Sequence, residues 1–350
     1  MRLTAFFHPL ARIATVTMLA ALTLAGCGGT TPTRPDAGTQ PALSSSAPPV
    51  RIGIALGGGA AKGFAHIGVI KMLEANGFAP AVVSGTSAGS VVGALYASGM
   101  NAFEMQEKAV ALDEAKIRDL QLSSGGLVLG QKLEDYVNEQ VRRKPLEQMA
   151  KPFVVVATRL EDGERTVFAR GNTGQAVRAS SSVPGVFQPV TIGKYHFVDG
   201  GIVSPVPVDA ARQLGADIVI AVDISNKARG QTPGDMLGTL GQSIAIMGQK
   251  LGQAELARAD VIIRPQVLDI GSADFSQRTN AILEGEKAAL AVMPQIRERI
   301  AQLQTDRANA ARAAQQKAAE AQYQTCLEKR SSLQKLAGMA RLDDSCTAPK

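Results

Sequence analysis

Apolar residues between positions 51 and 303 come in two rhythms. Short, nearly unbroken apolar runs at 51–56, 81–86, 217–224 and 261–264 predict buried strands, and strands at 153–160 and 166–169 flank the turn signal Asp162-Gly163. Between these runs the spacing changes to three and four. At 61–75, Phe64, Ile67, Ile70 and Leu73 fall on one side of a helix. Further helices are predicted at 87–98, closed by Gly99, and at 102–120, 132–143, 236–257 and 281–302. No segment recurs at a fixed period. Strands alternating with helices predict an α/β fold: a three-layer sandwich with a largely parallel central sheet and helices on both faces.

Outside this body the rhythm is lost. Residues 28–49 are rich in Thr, Pro, Ser, Gly and Ala and read as a flexible tether. Beyond residue 304 the chain is mostly Ala, Gln, Arg, Lys and Glu, with few large apolar residues before Tyr323. That predicts a solvated helical tail, packed on the body weakly or not at all. At the other end, Arg2 and Arg12 precede an apolar run at 13–25, the pattern of a targeting segment. The run is short for a permanent membrane span. It leads into Leu24-Ala25-Gly26-Cys27, which resembles the lipobox of bacterial lipoproteins. The resemblance implies that Cys27 is lipidated and becomes the first residue. Gly28 rather than Asp after it implies sorting to the outer membrane. The expected organisation is a signal peptide at 1–26, a tether at 27–49, a catalytic domain at 50–303 and a helical tail at 304–350. The expected location is the bacterial cell envelope, lipid-anchored and facing the periplasm. In that oxidising compartment Cys326 and Cys346 are the remaining pair, and a disulfide closing a small C-terminal hairpin is expected.

Composition narrows the function classes only a little. The 350 residues carry a formal charge of +6, without a Lys/Arg run that would mark a nucleic-acid stripe. There is no HExxH, no paired CxxC and too few His for a zinc site, so neither metal nor cofactor is expected.

The candidate chemistry begins at IALGGGAAKGFAHIGVI, residues 54–70, where a glycine loop opens straight into a helix. Such a loop attracts negative charge, either a phosphate or the transient oxyanion of acyl transfer. The phosphate readings fail. A P-loop needs Lys and then Ser or Thr after the last Gly, but Lys62 precedes Gly63 and Phe64 follows. A dinucleotide fingerprint counted from Gly57 meets Lys62 where Gly belongs, and no acidic residue closes the second strand. That strand ends instead in Gly85-Thr86-Ser87-Ala88-Gly89, a G-x-S-x-G pentapeptide between strand and helix. This is the setting of a nucleophile elbow, with Gly85 and Gly89 small enough for strand and helix to approach each other around Ser87. A base is needed. The chain has three His, at 8, 66 and 196, and none after Asp199, which excludes the order Ser, acid, His. Either His66 or His196 serves in an unusual order, or a carboxylate is the base. The best-placed carboxylate is Asp199, in Val198-Asp199-Gly200-Gly201 after an apparent strand at 195–198.

GGGAAKG, GTSAG and DGG occur in this order, the first two one βα unit apart, and RASSSVPGVFQPV at 178–190 precedes the third. Over residues 51–264 this combination resembles the patatin-like phospholipase family, most closely its small bacterial members. The resemblance implies a serine lipid acyl hydrolase, phospholipase- or lysophospholipase-like, with a membrane lipid or lysolipid as substrate. Ser87 would be the nucleophile and Asp199 the base, a dyad in place of a triad. The oxyanion hole would be the loop of Gly57, Gly58, Gly59, Ala60, Lys62 and Gly63. Two positions depart from the usual GGGxRG form: Ala60 replaces the third glycine, and Lys62 stands where Arg is common. Ala60 is expected in an ordinary helical or extended conformation, its N–H aimed at the oxyanion. Rival readings are an acyltransferase or thioesterase with the same dyad, or a catalytically silent lipid-binding lipoprotein. Residues 113–144, broken by Ser123-Ser124-Gly125-Gly126 between two helical segments, are expected to form a mobile cap.

Overall fold

Strand β1 (Ile52–Leu56) leads through a 3-10 turn (Ala60–Gly63) into α1 (Phe64–Ala75), and β2 (Val82–Thr86) leads into α2 (Ala88–Ala97) and α3 (Ala102–Val110). A hairpin of β3 (Leu120–Ser123) and β4 (Gly126–Val128) precedes α4 (Gln131–Gln140). Then come β5 (Phe153–Arg159), β6 (Arg165–Phe168), α5 (Thr173–Ser180), β7 (Val190–Ile192) and β8 (Tyr195–Asp199). The chain continues with α6 (Val208–Gln213), β9 (Ile218–Val222), α7 (Met236–Leu256), β10 (Val261–Ile263) and α8 (Arg278–Ala337). The computed structural model describes residues 49–114, 120–123, 126–225, 227, 234–337, 346 and 348, all within the compact unit Ala47–Lys350. The signal, Cys27 and nearly all of the tether lie outside the described residues.

The main sheet has the order β10-β9-β1-β2-β5-β8-β7, with β6 also paired to β5. From β10 to β5 neighbouring strands are parallel; β8 runs antiparallel to β5, and β7 to β8. The parallel strands are apolar on both faces because both are covered. On β1, Ile52, Ile54 and Leu56 enter a large core with residues of α1, α2, α3 and α8, while Ala55 points to a smaller core with Val208 and Ala211 of α6. The same alternation sends Ile220 and Val222 of β9 to the first core and Val219 and Ala221 to the second. This is the expected α/β sandwich.

Helix α8 is held on α1 at backbone distance. A Cβ on Gly68 would lie 1.9 Å from the Ile282 carbonyl, and one on Gly285 would lie 2.0 Å from the Ala65 carbonyl. Ala281, Ile282, Ala289, Met293 and Ile296 are buried along this seam. The helix then continues past the body to 60 residues in all, about 90 Å, because its Ala/Gln/Arg/Lys/Glu composition contains no breaker after Pro294. The helix predicted at 281–302 and the predicted tail are thus one element. Cys326 on this helix and Cys346 are joined, with Cα atoms 6.0 Å apart.

Two expectations are corrected. The helix predicted at 102–120 stops at Val110: Asn101 and Glu104 close a capping box at its start, and the Arg278 guanidinium takes the Ala109 and Leu112 carbonyls at 3.1 and 2.7 Å at its end. Residues 120–123 and 126–128 pair as antiparallel strands where a break between helices was expected. The rest of the expected cap, residues 115–119 and 124–125, lies outside the described residues. Helices α5 and α6 and strand β7 were not predicted; they are too short for a periodic signal.

Candidate active site

Strand β5 brings Ser87 and Asp199 together. Its Val156 pairs with Thr86, the residue before Ser87, and its Ala157 pairs with Asp199. Both side chains therefore emerge at neighbouring positions along one strand. Asp199 reaches this place because Gly200 passes against β5: a Cβ there would sit 2.1 Å from the Val156 carbonyl. The Asp199 N–H donates to the Ser182 carbonyl at 2.9 Å, and Thr158 Oγ1 donates to the Asp199 carbonyl at 2.8 Å.

Ser87 stands at φ 51, ψ −125, at the start of α2. A positive φ is uncommon for a residue with a Cβ and here marks a sharp strand-to-helix turn. The turn needs bare backbone on either side: a Cβ on Gly85 would meet the Gly89 carbonyl at 2.5 Å, and one on Gly89 the Leu56 carbonyl at 2.1 Å. Ser180 Oγ accepts the Ser87 N–H at 2.8 Å and donates to the Val156 carbonyl at 2.5 Å, while Ser90 Oγ donates to the Ser87 carbonyl at 2.6 Å.

Ser87 and Asp199 are both buried. Burial raises the Asp199 pKa to about 6, opposed by hydrogen bonding from the Ser87 hydroxyl and the Gly201 N–H. Oδ1 accepts from Gly201 at 2.7 Å. Oδ2 is buried without a well-formed hydrogen bond among the described residues. The Ser87 hydroxyl thus acts on a carboxylate that keeps one oxygen open to a proton.

The glycine loop lies beside Ser87: a Cβ on Gly58 would be 3.2 Å from Ser87 Cβ. Its N–H groups divide into two sets. Gly57 N–H donates to the Val222 carbonyl at 3.1 Å and Gly58 N–H to the Pro205 carbonyl at 3.0 Å, so both are spent on holding the loop. Ala61 and Lys62 N–H go to the Ser272 and Gly59 carbonyls. Gly59 and Ala60 N–H donate to no carbonyl among the described residues. The expected donor set narrows to these two. Lys62 is buried, and Gly63 lets the 3-10 turn meet α2, where a Cβ would lie 2.7 Å from Ala88 Cβ.

Ala60 corrects an expectation. Its φ is 52, in the left-handed region rather than an ordinary helical or extended well. The chain enters the 3-10 turn from Gly59 at φ 172, ψ 17, and only a reversal at residue 60 makes that connection. Its Cβ faces solvent, so the strain is about 1–2 kcal/mol without an added clash.

Neither histidine joins Ser87 and Asp199. His66 is buried, and its Nε2–H donates to the Gly57 carbonyl at 2.8 Å; burial lowers its pKa to about 4, so it is neutral. It pins the glycine loop. His196 is exposed and binds Glu161 at 2.8 Å. Among the described residues no cluster of three His, Cys, Asp or Glu could hold a metal, and no helix is long and apolar enough to cross a membrane. Sequence reading missed Ser180, hidden in the run of serines at 180–182, and the segment Ser204–Val206, which carries no motif.

The class so defined is an α/β sandwich with a serine on a left-handed elbow, a buried carboxylate at the adjoining strand end and a glycine loop alongside. Residues 54–212 match the family model for patatin-like phospholipase. An uncharacterised NTE family protein of Mycobacterium tuberculosis is 35% identical over 188 residues, 53% of this chain and 52% of that protein. Lysophospholipase NTE1 of Pyricularia oryzae is 25% identical over 279 residues, 71% of this chain and 19% of that protein. The chain therefore spans about half the length of the mycobacterial relative and a fifth of the fungal one. Among solved structures, VipD from Legionella pneumophila shares the fold, with a TM-score of 0.50 over 70% of this chain and 67% of that chain at 16% identity.

Proposed function

We propose that this protein is a patatin-like serine acyl hydrolase that cleaves fatty acyl esters of phospholipids or lysophospholipids. The observation that carries the reading is the buried Asp199 carboxylate, which interacts with the hydroxyl of Ser87 on its strained elbow and keeps one oxygen without a well-formed hydrogen bond among the described residues. Ser87 Oγ attacks the ester carbonyl carbon and Asp199 takes its proton. The carbonyl oxygen gains the negative charge, facing the N–H groups of Gly59 and Ala60; one such donor contributes about 10²–10³ in rate. The tetrahedral intermediate collapses, the C–O bond to the alcohol breaks, and Asp199 returns its proton to the leaving alkoxide. Water, deprotonated by Asp199, then releases the fatty acid and restores Ser87.

The flank of the site supports a lipid substrate. Helix α7 brings Gly248 toward the residues after Asp199, where a Cβ would lie 3.6 Å from the Gly201 carbonyl. Its outer side exposes Met236, Leu240, Ile246, Met247 and Leu251, and no charged residue occurs from 236 to 249. An apolar surface this close to the site suits an acyl-chain substrate. The matched family and the lysophospholipase relative support the same substrate class.

The test is hydrolysis of a defined panel of one- and two-chain lipids, products identified by mass, with a fluorophosphonate as covalent label. Wild type should release fatty acid and be labelled at Ser87, and Ser87→Ala should do neither. Transfer of the acyl group to an alcohol in place of water would reassign the protein as an acyltransferase. Lipid anchoring at Cys27 in the cell envelope is proposed from the lipobox resemblance. Cys27→Ala should move the protein out of the membrane fraction.

A further inference from the structure

Asp199 and Glu255 are the two acidic residues buried as a whole among the described residues. Glu255 sits in the last turn of α7, 5% exposed. Burial pushes its pKa up to about 7. A carboxylate so placed is costly unless its hydrogen bonds repay the lost hydration.

Those hydrogen bonds all fall on one segment. Oε1 accepts from Ser204 Oγ–H, and Oε2 accepts from Val206 N–H at 2.8 Å. Gly252, one turn earlier, brings the helix against the same loop, where a Cβ would be 3.4 Å from Pro205 Cγ. The carbonyls of this segment serve the site. Ser204 O accepts from Thr86 Oγ1 at 2.8 Å, and Pro205 O accepts the Gly58 N–H at 3.0 Å. Thr86 immediately precedes Ser87, and Gly58 immediately precedes Gly59. Residues 204–206 therefore donate hydrogen bonds to the carboxylate through one set of atoms. Through their carbonyls they hold both the nucleophile strand and the glycine loop.

We propose that Glu255 is a positioning residue for acyl transfer: by clamping residues 204–206 it sets the spacing between Ser87 Oγ and the N–H groups of Gly59 and Ala60. It touches neither substrate nor reacting atoms. The inference rests on the reading of Ser87 and the glycine loop given above. A shift of about 1 Å between nucleophile and donors is enough to cost about 10²-fold in rate.

The chemistry of the clamp dictates the test. Gln at 255 can accept from Val206 N–H through Oε1 and donate to Ser204 Oγ through Nε2–H, so the clamp survives without the charge. Ala leaves both partners unsatisfied. In the full-length protein, Glu255→Ala should lower kcat on a short-chain nitrophenyl ester by about 10- to 100-fold, with KM within about threefold. The rate of fluorophosphonate labelling at Ser87 should fall in parallel. Glu255→Gln should stay within about threefold of wild type in both. Should Glu255→Ala not fold, Ser204→Ala, which removes one of the two bonds, decides: it should lower kcat about 3- to 10-fold at unchanged KM. Wild-type kcat and labelling in Glu255→Ala, or in Ser204→Ala where that variant decides, would overturn the proposal. So would a Gln variant as impaired as the Ala variant, or a loss confined to KM. If wild-type protein is not labelled at Ser87 at all, the fault lies with the site assignment and not with Glu255.

Discussion

Ser87 and Ala60 have nearly the same unusual backbone angle, φ 51 and φ 52, but their two turns are held in different ways. The elbow at Ser87 is clamped by side chains, with the Ser180 hydroxyl on its N–H and the Ser90 hydroxyl on its carbonyl. It is also tightly enclosed, since no Cβ fits at Gly85 or Gly89. The loop around Ala60 is held largely by backbone carbonyls from distant segments, those of Val222, Pro205 and Ser272. Ala60 itself faces solvent. A turn held by carbonyls keeps its shape whatever side chain it carries, so an alanine is tolerated where the resembling family has glycine. A turn held by hydroxyls depends on particular residues.

The largest test of this contrast concerns the group that acts on the elbow. Asp199→Asn removes the proposed proton acceptor and should lower ester hydrolysis by at least about 10³-fold. The same substitution should stabilise the fold. The folded pKa of Asp199, about 6, lies above the ordinary 3.8, so the folded state holds this proton more tightly than the unfolded chain. Stability from this group is greatest below pH 3.8 and is lost as pH rises to about 6. Above that, Asn should be the more stable by about 1–3 kcal/mol, read by chemical denaturation at pH 7. Wild-type activity should rise through about pH 6 and level off above it.

Ala60→Pro follows. It deletes one of the two open N–H groups and forces φ to about −65°, so activity should drop about 10²–10³-fold. Wild-type rates would move the oxyanion donor elsewhere. Ser180→Ala probes the side-chain clamp. Loss of the hydroxyl leaves the buried Ser87 N–H unpaired, and kcat should fall about tenfold with KM little changed. An unaffected kcat would mean that the elbow holds its shape through sterics alone. The smallest effect belongs to Ala60→Gly. Removing the strained Cβ should raise stability by up to about 1 kcal/mol, offset in part by the greater freedom of glycine in the unfolded chain. Activity should stay within tenfold, as expected if the loop is shaped by groups other than the side chain at position 60.

The difference between the two turns also marks what could be read beforehand. G-x-S-x-G at the end of an apolar strand identified the elbow because its requirements are local: a tight turn and two residues without Cβ atoms. The alternation of apolar strands and periodic helices predicted the sandwich for the same reason. Short or capped elements escaped. The stop of α3 at Val110 depends on Arg278, which sequence proximity does not link to it. The Ala60 conformation was misjudged because its torsion is imposed by the approach from Gly59, not by its own preference.

By itself the sequence determined the α/β alternation, the strand-end serine and the Asp-Gly-Gly turn, since apolar period and glycine placement act over a few residues. Tertiary structure decided the rest. Pairing to β5 put Ser87 beside Asp199, and burial in that corner raised the carboxylate pKa. Carbonyls of Val222 and Pro205 consumed two loop N–H groups and left those of Gly59 and Ala60 open. Glu255 came to bear on both halves of the site only because α7 folds back against residues 204–206. Hydrogen-bond accounting, burial and through-space contact join residues far apart in the chain, and no local pattern of side chains encodes which of them will meet.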